Sequence, residues 1–308
     1  PGAMCTGLCF ERRLSFAFIL LFFQLMERTC PHCKGERTKD HGRYQRLSDG
    51  ARVARLRCLN CRRTFSKATY DVCFAQKKRH VNHPLWMLLV SGVSLRRVSK
   101  ILRISRTTSA RKLLFLGRVA KRELKESLLH KAKLECIEFD DMETFEHSKC
   151  KPLSISLAVE SGTRRILGFE VSQMPANGPL AKIAKQRYGR RPDQRLIGRK
   201  RLLRFVRKLS KRNVVIKSDE NPHYPPLIRG IFPRREHLRY KGRRGCVVGQ
   251  GELKRGGFDP LFSLNHTAAM FRANVNRLFR RTWCTTKKRE SLTAHLALYS
   301  VYHNQNLK

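Results

Sequence analysis

Two Cys-x-x-Cys pairs, Cys30-Pro-His-Cys33 and Cys58-Leu-Asn-Cys61, stand 24 residues apart. Each pair sets two thiols on one tight turn, and the segment between them suits a hairpin, with Ser48-Asp49-Gly50 as its expected reversal. Four thiolates from two such turns close a tetrahedral site that fits zinc. That site leaves no position for water, so Zn2+ is expected to hold shape and do no chemistry. The remaining cysteines are scattered singly, which fits a reducing compartment better than a disulfide framework.

The charge then narrows the partner. The chain of 308 residues carries 66 Lys and Arg against 23 Asp and Glu, a formal charge of +43, with the excess spread from Arg28 to Lys308. Such a charge repels itself unless a polyanion neutralises it, so nucleic acid is the expected partner. Around the cysteines, Arg52, Arg55, Arg57, Arg62, Arg63 and Lys67 alternate with Tyr44 and Phe65. A histone-like or ribosomal packing protein would share that charge, but a 41% hydrophobic share implies a real core. The apolar run Leu14 to Met26 is 13 residues long, too short to span a bilayer. We read residues 1–25 as a non-native or upstream extension, with the native protein beginning at Met26.

Three regions follow: a zinc ribbon over 26–70, a helix-turn-helix module over 80–125 and an α/β domain over 132–308. In the second, Pro84 suits a first helical turn and Gly92 a helix end. Leu95, Val98 and Leu102 mark the inner face of one helix, Arg103 to Ser105 a three-residue turn, and Ser105 the N-cap of the next helix. Ile104 and Leu113 pin that turn and the second helix. Arg103, Ser105, Arg106, Thr107, Thr108, Arg111 and Lys112 are then the candidates to reach DNA bases and phosphates. Strands are expected over 134–139, 153–159, 165–171 and 214–217, helices over 180–188 and 198–209, and a final long helix over 267–281. That order implies a mixed sheet flanked by helices.

The chemistry is expected where acids cluster on a chain short of them. Cys136-Ile-Glu-Phe-Asp140-Asp141-Met-Glu-Thr-Phe-Glu-His147 ends an apolar strand in carboxylates, and Val214-Val-Ile-Lys-Ser-Asp219 ends another in one. Acids on a protein that grips DNA are costly unless a cation cancels them, and a shared Mg2+ or Mn2+ would do so. The plainer alternative is that these acids cap strands or pair with arginines.

These motifs, in this order from Met26 to the C-terminus, resemble the DDE transposases of bacterial insertion sequences. Asp140 to Phe145 is similar to the family's Asp-Glu-Met-Trp-Ser-Phe, and Ser218 to Tyr224 to its Thr-Asp-Gly-x-x-x-Tyr. The resemblance implies an RNase H-like fold, Mg2+ held by Asp140 and Asp219, and 3′-hydroxyl strand transfer on double-stranded DNA, at both the element ends and the target. It further implies a homodimer or higher oligomer, a cytoplasmic and nucleoid-associated bacterial location, and no membrane partner. The family's third acid is a glutamate opening a long helix, with a basic residue seven positions on. Asn265 occupies that glutamate position and Arg272 the basic one, with His266 and Glu252 as alternatives. A basic run follows, comprising Arg277, Arg280, Arg281, Lys287, Lys288 and Arg289 around Trp283, and suits either a DNA groove or a solvated face. The reading is a transposase that binds terminal inverted repeats. Its alternatives are a regulator that has kept the reading modules and lost catalysis, and a basic RNA-binding protein.

Overall fold

The structure, a computed structural model, describes residues 29–47, 50–131, 133–241, 259–279 and 282–307. The extension assigned to 1–25, the turn residues Ser48 and Asp49, Glu252, Arg280 and Arg281 lie outside them. The chain divides into two compact units between His80 and Val81.

The first unit is a three-stranded antiparallel sheet of β1 (Thr38–Gln45), β2 (Arg52–Cys58) and β3 (Thr64–Ser66) in that order. Gly50 takes a φ of +70° at the β1–β2 reversal, a conformation open to residues without a Cβ. Its core is small: Cys30, Leu56, Cys58 and Phe65 are buried, with Cys61 and Tyr70 packed against them.

The second unit opens with three helices, α1 (Asn82–Val90), α2 (Leu95–Ile101) and α3 (Arg106–Leu129). Strands β4 (Leu134–Phe145), β5 (Pro152–Glu160) and β6 (Ile166–Gln173) follow, then helices α4 (Leu180–Tyr188) and α5 (Arg195–Leu209). Strand β7 (Ser210–Asp219), helix α6 (Tyr224–Ile231), strand β8 (His237–Tyr240) and helices α7 (Phe262–Asn274) and α8 (Arg289–Gln305) complete it. The sheet order is β6-β5-β4-β7-β8. The first three strands form an antiparallel meander, while β7 and β8 run parallel to β4 and are reached by helical crossovers. The expected mixed sheet flanked by helices is therefore present.

The sheet strands bury on both faces, as Ile155, Leu157, Ala158 and Val159 illustrate. A single hydrophobic cluster runs from Val81 through the sheet to Val301, so α1 to α3 share a core with the sheet rather than forming a separate module. Gly117 shows how close the helices come, since a Cβ there would stand 2.3 Å from that of Ala294 on α8. One expectation is corrected here: the helix expected over 267–281 starts at Phe262 and ends at Asn274, with Val275 extended. The last helix is α8, whose residues Leu292 to Val301 are largely buried.

Candidate functional site

The four expected zinc ligands come together. The Sγ atoms of Cys30, Cys33, Cys58 and Cys61 all lie within 4.8 Å of one another. The two turns are built alike. Cys30 N donates to Gly35 O and Cys58 N to Arg63 O, and the residue after each second cysteine, Lys34 or Arg62, has a φ near +60°. In Cys58 the backbone N–H of Cys61 lowers the thiol pKa against the effect of burial. Burial also opposes ionisation at Cys30, but the backbone N–H groups of Cys33 and His32 prevail and bring it to about 7. Cys61, despite the N–H of Arg63, is pushed up to about 11 by burial and its sulfur neighbours. Four crowded sulfurs ionise together only with a cation among them, so the cluster could hold a structural zinc.

The second cluster forms where β7 stops. Phe139 pairs with Ser218 in the parallel register of β4 and β7. One step further, Asp140 and Asp219 are neighbours on strands about 4.8 Å apart. Asp140 Oδ1 accepts from the backbone N of Asp141 at 2.6 Å and the Tyr224 hydroxyl at 2.9 Å. Asp219 Oδ1 accepts from Asn221 N at 3.1 Å. Burial and the charge of Asp219 push the Asp140 carboxyl up to about 6, against the opposing pull of those two donors. Neither aspartate forms an ion pair among the described residues, so each site oxygen left over is a hard donor that a divalent cation would satisfy.

The neighbouring acids are spent differently. Asp141 Oδ2 accepts from Arg199 Nε and Nη2 at 2.9 and 2.6 Å and from Ser154 Oγ at 2.8 Å, in a pair that is almost wholly buried. Glu146 receives Arg289 N and lies 3.8 Å from Arg191. The arginine-pairing alternative thus holds for Asp141 and Glu146 and not for Asp140 and Asp219.

Asn265 sits in the first turn of α7, exposed, and its Nδ2 donates to Asp259 Oδ2 at 2.8 Å. His266 is half-buried against Phe262, and its Nδ1 is buried without a hydrogen bond among the described residues. Arg272 falls seven residues on, in the last turn of the same helix. Among the described residues, the four cysteines form the one group of three or more His, Cys, Asp or Glu side chains able to hold a metal. Glu138 was passed over in the sequence. It is 2% exposed and accepts from Leu264 N at 2.8 Å and Ser161 Oγ at 2.7 Å, tying the start of α7 to the strand that carries Asp140. The signal was its alternation: Glu138 lies two residues before Asp140 on an inward-facing strand position.

The helix-turn-helix geometry is as expected at its turn. Ser94 and Ser105 cap α2 and α3, and Arg103 has a φ of +49° between them. Arg103, Arg106, Thr107 and Arg111 are exposed. Some of the remaining basic and capping residues are engaged within the chain. Ser105 Oγ is occupied by Thr108 N at 3.0 Å and by the Thr108 hydroxyl. Lys112 is buried, with Nζ 2.6 Å from Asn82 Oδ1, so it points into the unit. In the basic run, Arg277 is also drawn inward, and burial lowers its pKa to about 10, whereas Trp283 is 75% exposed.

No family model matches the chain, and no curated protein matches it. No described helix is long and apolar enough to cross a membrane.

Proposed function

We propose that the chain is a DDE-type transposase with an RNase H-like core, which binds the terminal inverted repeats of its element and catalyses metal-dependent cleavage and strand transfer. The observation that carries this reading is the placement of Asp140 and Asp219 one residue beyond Phe139 and Ser218, the last registered pair of two adjacent parallel strands, with the Asp140 carboxyl raised by burial and by the charge of Asp219. A carboxylate whose charge is opposed by burial and by a like-charged neighbour forms a site that a divalent cation relieves, and its oxygens suit Mg2+ or Mn2+. A meander extended by parallel strands supports the core's assignment. The four-cysteine ribbon, the exposed Arg103, Arg106, Thr107 and Arg111, and the charge of +43 support DNA as the partner.

When bound, the metal would activate the attacking oxygen and stabilise the leaving one in an in-line displacement. In this reading Asp140 and Asp219 would hold it, and the Tyr224 hydroxyl and the N–H of Asp141 would keep the Asp140 carboxylate from turning away. Attack at phosphorus forms one P–O bond as another breaks, so the joining step needs no external energy source. Two element ends must be held at once, which implies a dimer or larger assembly, in the cytoplasm beside the nucleoid.

The test is incubation of the full chain with labelled element ends and Mg2+ or Mn2+. Asp140→Ala and Asp219→Ala are each expected to lower nicking and joining by about 10³-fold or more while end binding persists. A second reading, a regulator without catalysis, is favoured by Asn265, an exposed amide bonded to Asp259 where the family has a carboxylate. Selective end binding by the unsubstituted chain, with no nicking in either metal, would establish that reading. Binding that ignores the end sequence at raised salt would sink both.

A further inference from the structure

Tyr224 is the largest fully buried side chain of the second unit, and it touches the aspartate site from a fixed seat. Its ring meets Phe139 edge-on at 5.0 Å and lies under the Arg199 guanidinium, also at 5.0 Å. Arg199 cannot swing away, because two of its N–H groups bind Asp141 Oδ2, which Ser154 also holds. The Tyr224 hydroxyl carries a proton that it can give to a neighbouring carboxylate. It donates to Asp140 Oδ1, the oxygen already bonded to Asp141 N. One oxygen of Asp140 is therefore filled by two donors, and the other accepts no hydrogen bond among the described residues.

We infer that Tyr224, seated by Arg199, confines Asp140 to a single metal-facing oxygen and so makes the site selective for small octahedral cations such as Mn2+ and Mg2+ over Ca2+. Calcium takes six to eight oxygens and uses carboxylates in bidentate fashion, whereas Mg2+ demands near-ideal octahedral geometry. Bidentate use of Asp140 would break both bonds to Oδ1. Tyr224 and Arg199 are positioning residues here, since neither needs to touch the metal. The inference rests on the metal site proposed above and adds what chooses the ion.

The experiment uses the full zinc-loaded chain, with Mn2+ binding read by electron paramagnetic resonance and Ca2+ binding by equilibrium dialysis. Tyr224→Phe keeps the ring and deletes the donor. It should weaken Mn2+ binding about tenfold, the usual loss when a partner of a ligand is removed, and leave Ca2+ binding equal or tighter. Arg199→Lys, which keeps a charge beside Asp141 but loses the flat group over the ring, should shift the ratio the same way by less. Equal losses for both ions, or an unchanged ratio in both variants, would overturn the inference and point to a merely structural tyrosine. If the unsubstituted chain shows no Mn2+ binding that Asp140→Ala and Asp219→Ala remove, the proposed metal site fails too. An unchanged ratio on a site those alanines abolish defeats the selectivity claim alone.

Discussion

The four-cysteine cluster and the aspartate pair both gather groups that carry the same charge when ionised, yet they are held by opposite means. In the first unit the ligands are themselves half of the small core, so the candidate ion and the fold depend on one another. In the second unit a large apolar cluster forms regardless, and Asp140 and Asp219 ride on strand ends that it fixes. The four-cysteine unit has little core besides its thiols, whereas the sheet does not depend on an ion to form. Loss of metal should therefore unfold one region and leave the other standing.

Metal removal gives the largest effect. Stripping with a strong chelator, or Cys58→Ser, should unfold residues 29–70, since structural zinc typically contributes about 10 kcal/mol or more. Backbone amide resonances of that stretch are expected to collapse to unfolded positions while those of the sheet in the second unit stay in place. A ribbon spectrum indifferent to chelation would break the contrast outright.

Acid separates the units in a second way. His295 on α8 is fully buried, and its Nε2 lies 2.9 Å from the Leu89 carbonyl on α1. Burial lowers its pKa to about 4, with the Arg277 charge adding to that and the Leu89 hydrogen bond opposing it. Below about pH 6.5 the unfolded chain takes up a proton that the folded unit refuses, so stability is whole above that pH and is lost as pH falls toward 4. The loss should reach about 3 kcal/mol by pH 4. Denaturation followed through the buried Trp86 in the second unit checks this, and His295→Gln should flatten the dependence. The ribbon should also fail in acid, because protons displace metal from thiolates. A chelator would then change its midpoint without moving that of the second unit.

What could be read in advance follows the same division. The cysteine spacing, the N-cap at Ser105 and the bounds of α4 are local signals, and each is visible within a few residues. That the strands ending in Asp140 and Asp219 lie side by side was expected from strand-end chemistry and the resemblance, and the parallel register of β4 and β7 shows it. Lys112 and Arg277 were misplaced because a basic side chain on a strongly basic chain reads as surface, and nothing local reveals that Asn82 or burial receives it. Helix α8 was missed for the opposite reason. It is apolar on several sides, so it shows no single stripe, as expected of a helix enclosed by α1, α3 and the sheet. Asp141 looked like part of a metal cluster until Arg199, distant in sequence, proved to be its partner.

The smallest predicted effect tests whether the turn before α3 is structure or contact. Ser105 Oγ accepts from Thr108 N at 3.0 Å, an N-cap whose loss to alanine costs about 1 kcal/mol. Ser105→Ala should therefore lower the stability of the second unit by about 1 kcal/mol, and Ser105→Asn, which can cap equally well, should restore it. On the proposed function, because that hydroxyl is already engaged, the alanine variant should bind element ends with little loss beyond what the frayed turn explains. Arg106→Ala, by contrast, removes an exposed cation and should weaken binding and shallow its salt dependence while leaving the melting temperature unchanged. If Ser105→Asn recovers stability and still binds poorly, the serine reads DNA after all, and this turn belongs with the contact residues rather than with the scaffold.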